Sequence, residues 1–293
     1  MLRSADVDLV SIATPPSEHK EMALAALEAG KHVLLEKPTA MNAAEAEELV
    51  AAAKRYPDRI TLIDHELRFL PSWQKARAKL GELGPVRYAE VRYSSPARGD
   101  RNREWNWWSD ASRGGGVWGA VGSHYVDALR FMGLEFEEAQ ALMRTTIDRR
   151  PDGNTLREVT SDDFASVDLR ARGGAVAAMT FSAVSTGPDE TSVLNVYAEG
   201  GALRFIGEEV LLSTGRQPFA TFAGAANEVR PGNSHGGAFG SGTLYLARAL
   251  KEALDSGNRE TLAMGATFED GLMQQRVLDA ARKSASGGGW VAV

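Results

Sequence analysis

The sequence predicts two linked parts: an α/β portion with a parallel sheet, then an α+β portion built on a large, mostly antiparallel, open-faced sheet with helices. Between residues 8 and 65, short apolar runs alternate with amphipathic runs, which is the βαβαβ pattern of a doubly wound sheet. From Gly84 onward the apolar period changes to two, and glycine-bearing turns separate the runs. We therefore divide the chain into 1–70 and 71–293, and the C-terminal helix and strand are free to pack back on the first part.

Each element of the first part has a local signal. The apolar run DLVSIA stops at TPP (14–16), which extends neither a strand nor a helix, and a helix with Gly30 as its C-cap follows. The strand HVLLE ends at the Pro38 turn, and Asn42 with Glu45 three residues later is a capping-box start for a second helix. Strands are therefore predicted at 8–13, 32–36 and 60–65, with the two helices between them.

The second part is predicted from alternation and turn residues. Segments that alternate with period two, separated by glycine-bearing turns, predict antiparallel strands, and three longer segments with helical period predict helices. The long segment 216–240 is rich in Gly, Ala and Asn, which is typical of a loop. The predicted strands are 86–93, 161–171, 175–185, 192–199, 201–207, 209–215 and 289–293, and the predicted helices are 116–132, 241–256 and 263–285.

Composition excludes several classes of protein. The 293 residues carry 33 Lys+Arg against 39 Asp+Glu, a formal charge of −6, which rules out a nucleic-acid binder held by bulk electrostatics. The chain has no cysteine, so disulfide scaffolds, thiolate zinc sites and cysteine nucleophiles are excluded, and we expect no metal site. Its apolar runs fall short of the ~20 residues of a membrane span, and its first residues are unlike a signal or transit peptide. We therefore expect a cytoplasmic protein without a membrane partner.

Three clusters of residues suggest chemistry. TPPSEH (14–19) follows the first predicted strand, at the edge where doubly wound sheets bind ligands. Glu-Lys-Pro (36–38) follows the second strand, and Lys37 could donate a proton or polarise a carbonyl there. GGGVWGAVGSHYVDAL (114–129) opens a helix on which His124 and Asp127 share a face at i and i+3.

Each cluster also has an ordinary structural explanation. A Pro-Pro turn commonly connects a strand to a helix, and a lysine beside Glu36 is more often a solvated surface pair than a catalyst. His124 on a helix is usually a structural residue. Trp105, Trp107 and Trp108 could equally form core, an interface or a sugar-stacking surface. Only the order and spacing of the clusters together point to a function.

That order carries a resemblance over nearly the whole chain. The stretch from DVDLVSIATPPSEH to AEELVAAAK (6–54) resembles the central part of the nucleotide-binding domain of the glucose-fructose oxidoreductase/inositol dehydrogenase/MocA family. LRFLPSW, GELGPVRYAEV, GGGVWGAVGSHYVDAL and the ending ATFEDGLMQQRVLDAARKSASGGGWVAV follow in the family's order. An EKP motif followed later by GGG and GSH is a specific combination.

The resemblance implies an NAD(P)-dependent dehydrogenase or reductase of a sugar, inositol or related polyol, with residues 1–70 forming a Rossmann-like portion and 71–293 binding substrate. It implies that Lys37 hydrogen-bonds the reacting hydroxyl and that His124 relays the proton. It further implies that the nicotinamide end of NAD or NADP is lined by Thr14, Pro15 and His19, with Glu36 and Pro38 shaping the pocket. The candidates for the substrate wall are Trp105, Trp107, Trp108, Arg113 and Asp127.

Two features depart from the family pattern. Family chains usually begin with a strand and a G-x-G-x-x-G turn that holds the diphosphate, and neither precedes Asp8 here. We therefore expect a truncated Rossmann-like portion that binds free NAD(P) weakly, or one completed by a second chain. Many members also carry an Asp four residues before the histidine, where this chain has Ala120, so that Asp127 or a residue of the second part would have to substitute.

Two functional hypotheses remain open at this stage. In the first, the chain is an NAD(P)-dependent oxidoreductase in which Lys37 and His124 face one cleft between the two parts. In the second, it is a non-redox remnant of the same fold that serves as a sugar-binding module, a partner subunit or a cofactor-independent enzyme. In either case we expect a homodimer or homotetramer through one face of the large sheet, because its strands carry apolar residues that the predicted helices are too few to cover.

Overall fold

The first sheet lies in the N-terminal part of the chain. A computed structural model describes residues 2, 6–224 and 237–293. Strands β1 (Leu9–Ile12), β2 (His32–Leu35) and β3 (Thr61–Ile63) pair in parallel, and the two-residue strand β14 (Ala266–Thr267) joins β3 antiparallel. The order β1-β2-β3-β14 places the carboxyl ends of the three parallel strands at one edge.

Two helices cover this sheet. Helix α1 (Pro16–Glu28) has a proline in its first turn, a position that needs no hydrogen-bond donor, and it ends before Gly30, whose φ is 74°. Helix α2 (Ala43–Arg55) is capped by Asn42, whose side chain accepts a hydrogen bond from the Glu45 amide at 3.0 Å. The sheet and helices enclose an aliphatic core that includes Val10, Ile12, Ala23, Leu27, Val33, Leu35, Leu49 and Val50.

The second sheet has nine strands within the described residues, in the order β13-β12-β11-β10-β4-β9-β8-β5-β15. All neighbours are antiparallel except β4 and β9, which pair in parallel. The strands are β4 (Val86–Ser94), β5 (Phe136–Arg144), β8 (Phe164–Ala171), β9 (Val176–Ser182), β10 (Thr191–Ala198), β11 (Gly201–Ile206), β12 (Glu209–Thr214), β13 (Ala220–Ala223) and β15 (Val291–Ala292). A separate hairpin is formed by β6 (Arg149–Asp152) and β7 (Thr155–Glu158).

Helices cover one face of this sheet and bury its apolar side chains. They are α3 (Pro71–Leu83), α4 (Ser123–Phe131) and α6 (Phe268–Gly287). Helix α5 (Gly237–Ser256) packs Leu246 and Leu250 against Ile60 and Leu62 at β3. A π-helical turn, Trp118–Gly122, leads into α4. The resulting core joins strand residues such as Val91, Val167 and Phe181 to helix residues such as Trp73 and Leu129.

Self-association was predicted from apolar residues of the large sheet that the helices were expected to leave uncovered, and the burial of these residues contradicts that reason. Most apolar residues of β4, β8 and β9 are packed inside this chain and are not left for a partner, although Val176 at the start of β9 is 43% exposed. The opposite face carries a polar network instead, in which Glu90 accepts from Asn195 at 2.7 Å and from Tyr197 at 3.0 Å. Self-association through this face stays a prediction, without the apolar argument.

Several elements differ from the sequence-based expectation. The sequence patterns did not indicate α3, β5, the β6–β7 hairpin or β13. The C-terminal helix starts at Phe268 rather than 263, because residues 266–267 pair with β3 as β14. Part of the expected loop 216–240 is strand β13, α5 begins at Gly237, and residues 225–236 lie outside the described residues.

Helix α6 contacts both sheets. It packs against α2 on one side and β5 on the other, and its start follows directly from β14 of the first sheet. Ser284 of α6 accepts a hydrogen bond from the Ala141 amide of β5 at 3.0 Å. The C-terminal segment therefore connects the two parts, and the division into 1–70 and 71–293 stays a proposal. Within the described residues, no helix is both long and apolar enough to cross a membrane.

Candidate active site

Two turns at the carboxyl edge of the first sheet are tied together by His19. Its Nδ1 lies 3.0 Å from the Pro38 carbonyl and its Nε2 lies 2.9 Å from the Thr14 carbonyl. Burial lowers the pKa of His19, although both carbonyls favour the protonated ring. The side chain is fully buried, so we propose that His19 positions the two turns rather than touching a cofactor, whereas Thr14 and Pro15 remain half-buried at the edge.

Lys37 reaches from this edge to the second part of the chain. The Lys37–Pro38 peptide is cis, and the Lys37 amide donates to its neighbour Glu36 at 3.1 Å. The Lys37 ammonium donates to the carbonyl of Ala120 at 3.0 Å, within the π-helical turn before α4. Ala120 therefore contributes a backbone acceptor to Lys37, at the position where the family resemblance had suggested a carboxylate.

Two carboxyl groups beside Lys37 come from the segment after β3. The amide of Asp64 donates to the Leu35 carbonyl at 2.8 Å, which sets this segment against the end of β2. Burial, with the nearby charge of Glu36, raises the pKa of Asp64 to about 7, against the opposing effect of Lys37. Burial raises the pKa of Glu66 well above its usual range, and Asp64 adds to the effect. Both effects favour the protonated form of Glu66 over the carboxylate.

His124 lies near the start of α4, 8% exposed, with its Nδ1 3.4 Å from Glu66 Oε1. The Phe239 ring packs on its imidazole at 4.6 Å between centroids, and the His65 ring stands edge-on at 6.2 Å. Burial lowers the pKa of His124 well below its ordinary value, and the charges of Lys37 and His65 lower it further. His124 is therefore a neutral imidazole close to the Lys37 ammonium.

Asp127 does not partner His124. Both of its oxygens are bound by Arg68, with Nε–Oδ2 at 2.9 Å and Nη2–Oδ1 at 2.6 Å, and His65 Nδ1 lies 3.8 Å from Oδ2. The carboxylate is 2% exposed. The expectation that Asp127 forms part of a substrate wall is therefore wrong, because it is buried in an ion pair.

Gln274 of α6 connects the two halves of the site. Its Nε2 lies 2.6 Å from the Ser123 carbonyl, next to His124, and 2.9 Å from His65 Nε2. Gln274 is fully buried, so these contacts are shielded from water. A single side chain therefore fixes the segment after β3 against the start of α4.

The tryptophan-rich loop lies apart from this cluster. Trp105 donates to the Glu158 carbonyl at 2.9 Å and has the Arg157 guanidinium over its ring at 3.4 Å, while Arg98 lies over the ring of Trp108 at 4.3 Å. Each of these rings thus has one face against an arginine. Trp107, at the start of a 3₁₀ turn, is half-buried. The placement of these rings on a substrate wall stays a prediction.

Arg113 lies instead beside the first sheet, where it pairs with Glu18 of α1 at 3.3 Å. The next residue, Gly114, has a φ of 86°, and a Cβ there would lie 2.5 Å from Pro16 and 3.1 Å from Met41. The run GGGVWG (114–119) has the spacing G-x-G-x-x-G, but it follows a 3₁₀ turn rather than a strand and packs its backbone against α1. It is therefore not a diphosphate-binding turn.

Sequence reasoning missed Asp64, His65, Glu66, Arg68 and Gln274. A signal was present for the first three, because they follow the third parallel strand at the edge where TPPSEH and Glu-Lys-Pro end the other two. Thr14, Pro15 and Lys37 lie half-buried at this edge, and the contact of Thr14 and Pro15 with the nicotinamide end of a dinucleotide stays a prediction. Within the described residues, a cavity of about 490 Å³ is lined by Tyr125 and Phe239, but neither His124 nor Lys37 lines it. That Lys37 and His124 face one cleft stays a prediction.

A parallel α/β sheet with a lysine at its carboxyl edge, followed by a large and mostly antiparallel sheet with helices, is the architecture of two-part Rossmann-type oxidoreductases. The family described as an oxidoreductase family with an NAD-binding Rossmann fold matches residues 1–63, and the GFO/IDH/MocA C-terminal domain matches residues 73–204. The chain belongs to the GFO/IDH/MocA family, as the sequence resemblance predicted.

Three known proteins illustrate the relationship. Glucose-fructose oxidoreductase domain-containing protein 2 of Xenopus laevis is 30% identical, over 100% of this chain and 79% of that protein. An uncharacterized oxidoreductase of Synechocystis sp. is 35% identical over 69% of this chain, and the match spans 56% of that protein. The structure of levoglucosan dehydrogenase in complex with NADH and L-sorbose superposes with a TM-score of 0.86 at 25% identity, covering 100% of this chain and 81% of that one.

Proposed function

We propose that this chain is an NAD(P)-dependent oxidoreductase that interconverts a hydroxyl and a carbonyl group on a sugar, inositol or related polyol. The observation that carries the proposal is the Lys37 ammonium at the carboxyl edge of the Rossmann-type sheet, close to the neutral imidazole of His124. The NAD-binding family match and the NADH complex of levoglucosan dehydrogenase support it. The site distinguishes neither NAD from NADP nor one sugar from another.

Each residue of the site then has a separate role in the proposed reaction. When bound, the oxidised nicotinamide would supply the two-electron acceptor that takes up the carbinol hydrogen with its electron pair. Lys37 would hold the reacting oxygen by a charge-assisted hydrogen bond and stabilise negative charge on it. His124, which is neutral, would accept the hydroxyl proton during oxidation and return it during reduction. His19 would hold the Thr14 and Pro38 turns in place around the reacting atoms.

The first experiment measures dinucleotide binding and turnover on the full chain. NADH and NADPH are titrated by fluorescence, and oxidation and reduction are then assayed with aldoses, ketoses and inositols, including levoglucosan and L-sorbose. Binding of at least one dinucleotide with turnover of a sugar or polyol supports the proposal. A chain that binds a sugar without turnover, in the presence of either dinucleotide, would instead support a non-redox sugar-binding protein.

The second experiment tests Lys37 directly. Lys37→Met keeps most of the aliphatic length but removes the ammonium, so we expect kcat to fall by about 10²-fold or more, with dinucleotide affinity changed little. Lys20→Met is the matched control, because Lys20 is an α1 surface lysine paired with Glu48 at 3.2 Å. Full activity of Lys37→Met would contradict the assignment.

A further inference from the structure

A carboxyl group from outside α4 lies next to His124. We propose that Glu66 is the positioning residue that completes the acid–base relay, exchanging a proton with Nδ1 of His124 while Nε2 exchanges one with the substrate oxygen. This inference rests on the proposed function. It makes Glu66 the carboxyl partner of His124, because Ala120 has no carboxyl group and Asp127 is bound by Arg68. It makes the relay a pair contributed by two segments of the chain, the turn after β3 and the start of α4.

The contact itself is short and shielded. Glu66 Oε1 lies 3.4 Å from His124 Nδ1, and the two residues are 4% and 8% exposed. Within the described part of the chain, Nδ1 has no aligned hydrogen-bond partner, so its proton or lone pair is free to be taken up by Glu66.

The alternative carboxylate is occupied. Asp127, one turn along α4 from His124, is held by two nitrogens of the Arg68 guanidinium, Nε and Nη2. Arg68 also lies 3.2 Å from Asp270, which anchors it away from Glu66. Asp127 therefore stabilises His65 and Arg68, and Glu66 is the acid that faces the His124 ring.

Helix α5 holds both members of the pair. A Cβ at Gly242 would lie 2.6 Å from the Glu66 carbonyl oxygen and 3.0 Å from Cγ, so the helix backbone packs directly on Glu66. One turn earlier, the Phe239 ring packs on the His124 imidazole. The same helix therefore excludes water from Glu66 and His124 together, which favours direct proton exchange between them.

The proton balance follows from two states of the pair. In the loaded state, Glu66 is protonated and its O–H faces Nδ1, so the neutral imidazole carries its hydrogen on Nε2. In the unloaded state, Glu66 is a carboxylate, Nδ1 carries the hydrogen and Nε2 has a free lone pair. Oxidation starts from the unloaded state: the hydroxyl proton moves to Nε2 and the Nδ1 proton to Glu66, while the carbinol hydrogen leaves with its electron pair to the cofactor. Reduction runs the same transfers backwards from the loaded state.

The charged neighbours set which state dominates. Burial and Asp64 raise the pKa of Glu66, whereas Lys37 lowers it; Glu36 raises it further. From the other side, Lys37 and His65 oppose a positive charge on His124. Burial therefore favours the loaded state, and we expect reduction to be favoured at lower pH and oxidation at higher pH, through one apparent pKa of the pair.

The test compares Glu66→Gln and Glu66→Asp with the wild type. Gln keeps the shape but releases no proton, so we expect kcat to fall by about 10²-fold or more in both directions, with loss of the pH dependence of kcat and with Kd for the dinucleotide unchanged. Asp keeps the acid but lengthens the gap, so we expect partial activity and a retained but shifted pH profile. Glu90→Gln, on the open face of the large sheet, is the control and should match the wild type.

The outcomes are distinct. A Glu66→Gln variant with wild-type kcat and an unchanged pH profile overturns this inference alone, since turnover itself would still support the proposed function. A wild-type chain that neither binds a dinucleotide nor turns over any sugar overturns both. If circular dichroism shows that Glu66→Gln does not fold, Glu66→Asp decides: a pH profile identical to the wild type, at full kcat, overturns the proposal.

Discussion

At the scale of single residues, buried carboxyl groups dominate the site. Burial raises their pKa values more than the nearby Lys37 ammonium lowers them. Asp64 has a pKa of about 7 in the folded chain, and burial raises the pKa of Glu66 well above its usual range. One ammonium, that of Lys37, faces both of them and Glu36. The charge of this edge therefore changes within the physiological pH range, which an isolated Lys–carboxylate pair would not do.

Asp64 makes the stability of the protein depend on pH. The unfolded chain ionises Asp64 near its ordinary pKa of about 4, whereas the folded chain retains the proton up to about 7. Stability from this group is complete below about pH 4 and is lost as the pH rises to about 7. Asp64→Asn mimics the protonated acid. Between pH 5 and 8, we expect the free energy of unfolding of the wild type to fall by about 3 kcal/mol relative to that of Asp64→Asn.

Urea unfolding of both proteins at pH 5 and pH 8 measures this difference. The comparison between variants removes the contributions of titrating groups that do not interact with Asp64. A stability difference between wild type and Asp64→Asn that is the same at the two pH values would show that Asp64 ionises normally in the folded chain.

At the scale of elements, local signals explain what the sequence could and could not predict. The run from β1 to β3 was predicted because each element has its own marker, such as the proline turn after β1 and the Asn42 cap of α2. β5 was missed because Glu137 and Glu138 follow its first buried residue, and Leu142 is 56% exposed, so its alternation is weak. β14 has two residues and is a strand only because β3 lies beside it.

The same reasoning applies to the site. Lys37 and His124 were predicted because each lies in a run with a distinctive sequence, although their joint role stays a proposal. The approach of Glu66 to His124, and the binding of Asp127 by Arg68, join residues 58 and 59 positions apart. Such pairings depend on tertiary packing, which the hydrophobic periodicity and the motif spacing of the sequence do not predict.

Gly242 tests whether α5 controls the site. Ala at this position gains about 1 kcal/mol of helix propensity, but its Cβ would overlap the Glu66 backbone, at a cost of about 1–3 kcal/mol. We expect Gly242→Ala to be neutral to mildly destabilising and to lower kcat, because Glu66 is displaced from His124. Lys251→Ala, on the exposed side of α5, is the control. Unchanged kcat in Gly242→Ala, with normal stability, would show that the contact does not govern the position of Glu66.

At the scale of the whole molecule, α6 makes the two parts depend on each other. Its start lies against β3 and α2, its middle supplies Gln274 to the site, and its end bonds β5. Both sheets therefore lose contacts when this helix is released. The two parts should unfold together rather than as independent domains.

Gln274→Leu tests this coupling. The substitution leaves the buried Ser123 carbonyl and His65 Nε2 without their partner, so we expect a loss of about 2–4 kcal/mol of stability. All six tryptophans lie in 71–293, so tryptophan fluorescence reports the second part and far-UV circular dichroism reports both. We expect the two urea transitions to coincide and to shift together. Lys283→Gln, on the exposed side of α6, is the control; separate transitions in the wild type would contradict the coupling.

The contacts of Gln274 also decide the tautomer of a histidine. Its amide nitrogen must face the Ser123 carbonyl, since an amide oxygen there would meet another acceptor. The same NH₂ group faces His65 Nε2, so that nitrogen accepts, and the imidazole hydrogen resides on Nδ1, on the side of Asp127. Burial lowers the pKa of His65 to about 4, which keeps the ring neutral and this form fixed. An amide 209 residues away thus directs the Nδ1 hydrogen of a neutral ring toward Asp127, whose Oδ2 lies 3.8 Å from that nitrogen.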